Sequence, residues 1–186
     1  MTFTQLKIEG VWLHTPKVWP DERGTFHEVF KLSLISEQLG REFQVKQVNQ
    51  SSSAAGVIRG IHWTDSPEGQ AKYVSCPKGA LWDVVVDLRP DSETYGEWDA
   101  RTLSAENGQS LLISEGIGHA FLAVENGTVA SYLCSSEFNP SADKTINPLD
   151  PTLKISFLQK AREFGIHDLK LSPKDSTGDV FNQNKL

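Results

Sequence analysis

Between about residue 45 and residue 135 the chain breaks into short β-prone runs separated by turn dipeptides, and this spacing constrains the fold more than any other feature. The run from Leu81 to Leu88, "LWDVVVDL", alternates: Leu81, Asp83, Val85 and Asp87 share one face, and Trp82, Val84, Val86 and Leu88 the other. The runs "QSLLIS", "HAFLAV" and "TVASYLC" have similar length and similar β-branched or aromatic content. Asn107-Gly108 and Asn126-Gly127 tolerate the positive φ angles of tight hairpin turns, and Lys78-Gly79 reads as a related turn. Many strands at short spacing predict an all-β sandwich or barrel.

Helical signal is sparse. Residues 33–43, "SLISEQLGREF", predict one short helix with an N-cap serine, Ser33, and a stopping Gly40. The stretch "DPTLKISFLQKAREFG" fits helix or loop equally, "SSSAAG" (51–56) reads as a strand end leading into a turn, and the polar tail "DSTGDVFNQNKL" is expected to fray. At 186 residues the expectation is a single domain over 1–186, with its core in about 5–175.

Acidic residues outnumber basic ones by 24 to 18 with no lysine or arginine run, which argues against a nucleic-acid or membrane-surface binder. A few arginines still suffice to hold a small anion. The N-terminus has no basic segment followed by an apolar run, and about 18 consecutive apolar residues occur nowhere, so the expected location is the cytoplasm. Cys76 and Cys134 sit in apolar strand-like runs without metal-ligand spacing and read as reduced, buried thiols.

The stretch "GVIRGIHWT" (56–64) carries the question of chemistry, because Arg59 and His62 stand three apart among apolar and small residues. A metal-binding barrel would pair His62 with a second histidine two positions on, where Thr64 stands, and the later run supplies only His119. Neither a GxSxG elbow, nor a GxxxxGK[ST] loop, nor a GxGxxG turn is present. Proton transfer remains. Strand-like runs carry His62, Lys72, Asp83, His119 and Tyr132, and ionisable groups inside a barrel are costly unless paired or used. Each alone reads as well as a hydrogen-bonded core histidine, a snorkelling lysine or a rim tyrosine. Their convergence does not follow from the pattern.

The blocks "DERGTFHEVF" (21–30), "QVNQSSSAAGVIRGIHW" (47–63), "GQAKYVSCPKGALWDVVVDLRPDSETYGEW" (69–98), "LLISEGIGHAFLAV" (111–124), "YLCSSEFNP" (132–140) and "DPTLKISF" (150–157) follow one another in an order that resembles the dTDP-4-dehydrorhamnose 3,5-epimerases. The resemblance covers roughly residues 5–175. It implies a cupin-like jelly-roll barrel with a few short helices, without metal or other cofactor, acting on a dTDP-sugar in deoxysugar biosynthesis. It also implies a homodimer with N-terminal strand exchange, with which an exposed strand at residues 5–14 is compatible.

On that resemblance His62 is the base that removes a proton beside the C4 ketone, and Asp175 of "LSPKD" orients it. Asp83 is a second orienter or a structural acceptor. Lys72 stabilises the enolate, and Tyr132 returns a proton from the opposite face. His119 binds or orders the pocket. Arg59 and Arg23 match diphosphate contacts, Arg23 from the partner chain, while Phe26 and Glu28 match residues that hold the pyrimidine. Gln47 and Asn49 line the same pocket. Taken alone, Arg23-Gly24 reads as a polar turn.

Three departures from the family pattern stand out: Trp63-Thr64 after the histidine, "GHAF" (118–121) for the usual "AHGF", and Phe138 in place of a tyrosine. They put a hydroxyl and the pocket edge in question, and Phe138 with them among the substrate contacts. A mono-epimerase of C3 or C5, a ketoisomerase on the same substrate and a non-catalytic dTDP-sugar binding module are therefore kept as alternatives. So is an epimerase unit within a larger protein.

Overall fold

The computed structural model describes residues 2–65 and 69–182. Thirteen strands and three short helices are found there. The strands are β1 (Thr2–Gln5), β2 (Val11–Thr15), β3 (Val18–Asp21), β4 (Gly24–His27), β5 (Gln47–Ser53), β6 (Ile58–Thr64) and β7 (Lys72–Lys78). They continue with β8 (Ala80–Asp87), β9 (Trp98–Ser104), β10 (Ser110–Ile113), β11 (Ile117–Ala123), β12 (Thr128–Cys134) and β13 (Asp143–Thr145). The helices are α1 (Leu32–Leu39), α2 (Phe157–Glu163) and α3 (Pro173–Ser176).

One antiparallel sheet has the order β1-β2-β10-β7-β12-β5 and faces a second, β13-β6-β11-β8-β9; β3 and β4 pair with each other alone. From β5 onward the chain passes from one large sheet to the other at every step except β8 to β9, which is the jelly-roll pattern expected. The turns that sequence placed at hairpins have another job. Lys78-Gly79, Asn107-Gly108 and Asn126-Gly127 do carry positive φ, at 72°, 60° and 75° for their glycines. Yet each joins a strand of one sheet to a strand of the other, β7 to β8, β9 to β10 and β11 to β12, so none closes a hairpin. The left-handed conformation was legible locally; which sheet the next strand joins depends on distant partners.

Alternation fills three apolar layers. Leu81 and Val85 of β8 point between the sheets with Val74, Leu111, Phe121 and Ala130. Trp82, Val84 and Val86 point outward and are covered by Phe157, Ala161 and Phe181 of the C-terminal segment. On the far side, Ile35 of α1 and Phe43 cover Tyr73 and Leu112. Both faces of β8 are thus dry, as its sequence of apolar residues on both parities requires.

Three expectations need correction. Helix α1 ends at Leu39 because Gly40 takes a left-handed conformation (φ 68°) and its N–H caps the helix; the N-cap is Lys31, not Ser33, which lies inside the first turn. The segment 5–14 is not an exposed strand, since β2 is paired on both sides and Val11 is fully buried; the sheet edge is β1. The tail does not fray over 175–182: Asp175 and Phe181 are both buried, and the Phe181 N–H donates to Asp150 at 2.7 Å. Residues 183–186 lie outside the described part.

Candidate active site

Between the two sheets the apolar core gives way to a cavity of about 230 Å³, lined by Ser51, Arg59, His62, Lys72, His119, Phe121, Tyr132, Ser172, Lys174 and Asp175. Period-two geometry accounts for most of this. Lys72 shares a face of β7 with Val74 and Cys76, Tyr132 shares one of β12 with Ala130, and His119 shares one of β11 with Phe121. The inner face is apolar at one end and ionisable at the other.

Strand β6 breaks the period, and the break matters. Arg59 and His62 are three apart and would point to opposite sides of a regular strand. Three steps on β6 pass two on β11: Arg59 faces Phe121 and His62 faces His119. This bulge, at Gly60, turns Ile61 outward into the buried cluster beneath the C-terminal segment and lets both Arg59 and His62 line the cavity. Only glycine fits, because φ is +113° and a Cβ would lie 2.4 Å from the His119 carbonyl oxygen.

His62 Nε2 lies 2.6 Å from Asp175 Oδ1. An ionised carboxylate only accepts, so Nε2 carries the proton and Nδ1 is left as the basic nitrogen. Burial pushes the Asp175 carboxyl up, but hydrogen bonds from His62 and Ser172 and the charge of Lys174 outweigh it and hold the group below its ordinary value. A second pair lies deeper: His119 Nε2 is 3.0 and 2.9 Å from the two oxygens of Asp83. Asp83 is fully buried behind His119, and that burial pushes its carboxyl up against the opposing pull of His119 and Lys72.

Lys72 is buried, and desolvation lowers its ammonium pKa despite nearby Cys134, Asp143 and Asp83. Burial raises the Tyr132 phenol. The Tyr132 ring sits edge-on to His119, with centroids 6.5 Å apart. Arg59 is braced by Ser53 Oγ at 3.1 Å, and Lys174 pairs with Asp143 at the pocket edge. His62 comes from one sheet and Tyr132 from the other, so they stand on opposing walls.

Six of the thirteen expected residues, Arg59, His62, Lys72, His119, Tyr132 and Asp175, meet here, while Asp83 supports from behind. Gln47, Asn49 and Phe138 form an adjoining group: Gln47 donates to Asn49 Oδ1 at 2.8 Å and accepts from the Phe138 N–H at 2.7 Å. Asn49 sits opposite Tyr132 in register, and its Nδ2 donates to Cys134 Sγ at 3.8 Å. Arg23, Phe26 and Glu28 line no part of the cavity. Arg23 is bound to Asp21 at 2.6 Å on the β3-β4 hairpin, Phe26 is 66 % exposed against Trp19, and Glu28 pairs with Lys31.

Sequence reasoning missed Ser51, Phe121, Ser172 and Lys174 as cavity residues. Ser51 follows Gln47 and Asn49 at period two, and Ser172 and Lys174 flank Asp175, so the signals were present. Trp63 packs outside with Leu88 and Tyr95, and Thr64 lines nothing in the cavity. Gly118 is needed for space rather than for backbone freedom, since a Cβ there would meet Ile61 at 2.6 Å. Among the described residues, no three His, Cys, Asp or Glu side chains are grouped to hold a metal, and no helix is long and apolar enough to cross a membrane.

Comparison with known proteins points the same way. The family model of dTDP-4-dehydrorhamnose 3,5-epimerase matches residues 5–183. A dTDP-4-dehydrorhamnose 3,5-epimerase of Mycolicibacterium smegmatis is 45% identical over 150 residues, 81% of this chain and 75% of that protein. A dTDP-4-dehydrorhamnose 3-epimerase of Streptomyces niveus is 43% identical over 157 residues, 84% of this chain and 76% of that protein. The rmlC epimerase of Mycobacterium tuberculosis superposes with a TM-score of 0.91 at 37% identity, covering 97% of this chain and 88% of that one. With a family match over nearly its whole length and epimerases on every side, the chain belongs to the dTDP-4-dehydrorhamnose 3,5-epimerase family and is an isomerase of the epimerase type.

Proposed function

We propose that this protein converts dTDP-4-keto-6-deoxy-D-glucose to dTDP-4-keto-L-rhamnose by inverting C3 and C5 in turn, without a cofactor. The observation that carries the reading is the pair of proton-transfer groups on opposing walls, His62 held by Asp175 and Tyr132 facing it across the cavity. Nδ1 of His62 takes the proton from the carbon beside the ketone, and the C–H electrons move onto the C4 oxygen as an enolate. Asp175 stabilises the imidazolium so formed. Lys72, in a dry wall of the cavity, offsets the charge on the enolate oxygen.

Inversion requires the new proton on the other face, and Tyr132 supplies it as the enolate collapses to the ketone. The tyrosinate recovers a proton from water and the imidazolium releases one, so the cycle consumes nothing. Arg59 suits the diphosphate because its guanidinium can bridge two phosphate oxygens. Free, buried Cys76 and Cys134 are in keeping with a reducing cytoplasm.

The test is incubation with that substrate in deuterated water without added metal, read by NMR. Deuterium at both carbons with the L-rhamno product is expected. Label at one carbon, or a ketone moved to C3, would replace the reading with a mono-epimerase or ketoisomerase. The 3-epimerase relative keeps the mono-epimerase open, although Thr64 and Phe138, which first raised it, do not reach the cavity.

The exposed β3-β4 hairpin belongs to the same proposal. It carries Arg23 and Phe26 away from the cavity of its own chain, and Val18, Trp19, Phe26 and Val29 are all at least 40 % exposed. In a homodimer the hairpin would dock beside the partner's cavity and bring Arg23, Phe26 and Glu28 to the nucleotide. Light scattering is expected to give twice the 20.6 kDa chain mass, and a hairpin variant Trp19→Asp with Phe26→Asp is expected to give the chain mass alone. A monomeric wild type with full turnover would remove the partner's role.

A further inference from the structure

The oxygen that orients His62 stands on a four-residue helix, α3, which is far too short to hold its own shape. Its placement must come from what grips the chain on either side. Upstream, Lys170 bridges to the barrel through the Ile58 N–H at 2.9 Å and its own N–H to Gly56 O at 2.9 Å. Downstream, one segment, residues 145–152, takes hold at three places. Asn147 Nδ2 donates to Ser176 O at 3.0 Å, the Asp179 N–H donates to Thr145 O at 2.9 Å while Asp179 O accepts from Asn147 N at 3.1 Å, and the Phe181 N–H donates to Asp150 Oδ2 at 2.7 Å.

Asp150 has the unusual position. It is 5 % exposed, and its two carboxylate oxygens accept backbone N–H groups from opposite sides, Thr152 to Oδ1 and Phe181 to Oδ2, each at 2.7 Å. It therefore ties that segment to the tail. The Phe181 ring completes the closure: it is buried against Tyr95 at 5.2 Å between centroids, in a slot that a Cβ on Gly96 would fill at 2.7 Å.

We propose that Asp150 is a positioning residue for the epimerisation: through Phe181 it clasps the C-terminal segment to the barrel and thereby sets the contact between Asp175 and His62. This rests on the proposed function, in which His62 is the base. Neither Asp150 nor Phe181 lines the cavity, so neither needs to touch the substrate. A displaced carboxylate costs turnover steeply, at about a hundredfold for an ångström.

Asp150→Ala is expected to lower kcat about tenfold with KM changed less than about twofold, and Phe181→Ala is expected to do the same. Asp150→Asn, which keeps an acceptor for one N–H, is expected to recover most of the loss. The decisive readout is a double-mutant cycle with Asp175→Asn. If Asp150 acts through Asp175, adding Asp150→Ala to that variant lowers kcat by less than about twofold, whereas a merely structural role repeats the full loss.

A wild-type kcat in Asp150→Ala and Phe181→Ala, or additive losses in the cycle, would overturn the proposal. If Asp150→Ala does not fold, Phe181→Ala decides in the same cycle. An absence of exchange in the wild-type enzyme would instead fail the proposed function, so the two failures are distinct.

Discussion

His62→Ala is expected to abolish deuterium incorporation at both C3 and C5, lowering turnover by about a thousandfold or more, within the range spanned by general bases. Binding of dTDP is expected to hold within about threefold, because Arg59 keeps its brace on Ser53 and the rest of the wall is unchanged. The geometry allows a sharper contrast. Tyr132→Phe leaves the His62 and Asp175 pair intact, so proton removal continues and label enters with retention while inverted product disappears. Isothermal titration with dTDP and NMR of the products read both variants. A His62→Ala protein that still exchanges either proton at the wild-type rate would remove the base assignment, and unchanged inversion by Tyr132→Phe would remove the acid.

The second large effect concerns stability and involves none of these residues. His14 of β2 is 1 % exposed, with Nδ1 2.6 Å from the Tyr73 hydroxyl. Tyr73 donates its own proton to Val29 O at 2.5 Å, so it accepts from Nδ1–H. His14 Nε2 is then a buried lone pair with no partner among the described residues. Burial, aided by the charge of His27, pushes the His14 pKa down from 6.5 to about 4.

Between those two values the unfolded chain binds the proton that the folded one refuses. Stability from this group is therefore fully present above about pH 6.5 and is lost as pH falls to about 4, by about 3 kcal/mol over the window. Urea unfolding at steps from pH 7 to pH 4 is expected to show that fall, and His14→Phe is expected to flatten it. An equal slope in His14→Phe would assign the effect elsewhere. The ring also bears on the exposed hairpin, because the Val29 carbonyl that Tyr73 holds follows β4 closely. The Tyr73 hydroxyl that accepts from His14 thus also anchors the base of the hairpin.

Much of the barrel was legible because alternation is local. Leu81 and Val85 against Trp82, Val84 and Val86 could be sorted by parity alone, and the structure sorts them the same way. The helix at residue 32 onward was legible from its stopping glycine but not its start, since Lys31 occupies the N-cap without a side-chain cap and left no signal. The tail looked polar on average. Its one large apolar residue, Phe181, decides its fate by entering a slot beside Tyr95 that no local pattern announces.

The sequence by itself determined the β-rich class, the parity of its clearest strands, the turn conformations and the kinds of group available for proton transfer, because each depends on neighbours a few residues away. It also carried the family resemblance. Tertiary structure alone decided where those pieces meet. His62 and Asp175 are 113 positions apart. The bulge that turns Arg59 and His62 to one side exists only against β11, and three turns that locally suit hairpins instead carry the chain from sheet to sheet. Period two says which residues share a face; which face lines the cavity is settled by burial of the whole barrel, a property of all the strands together.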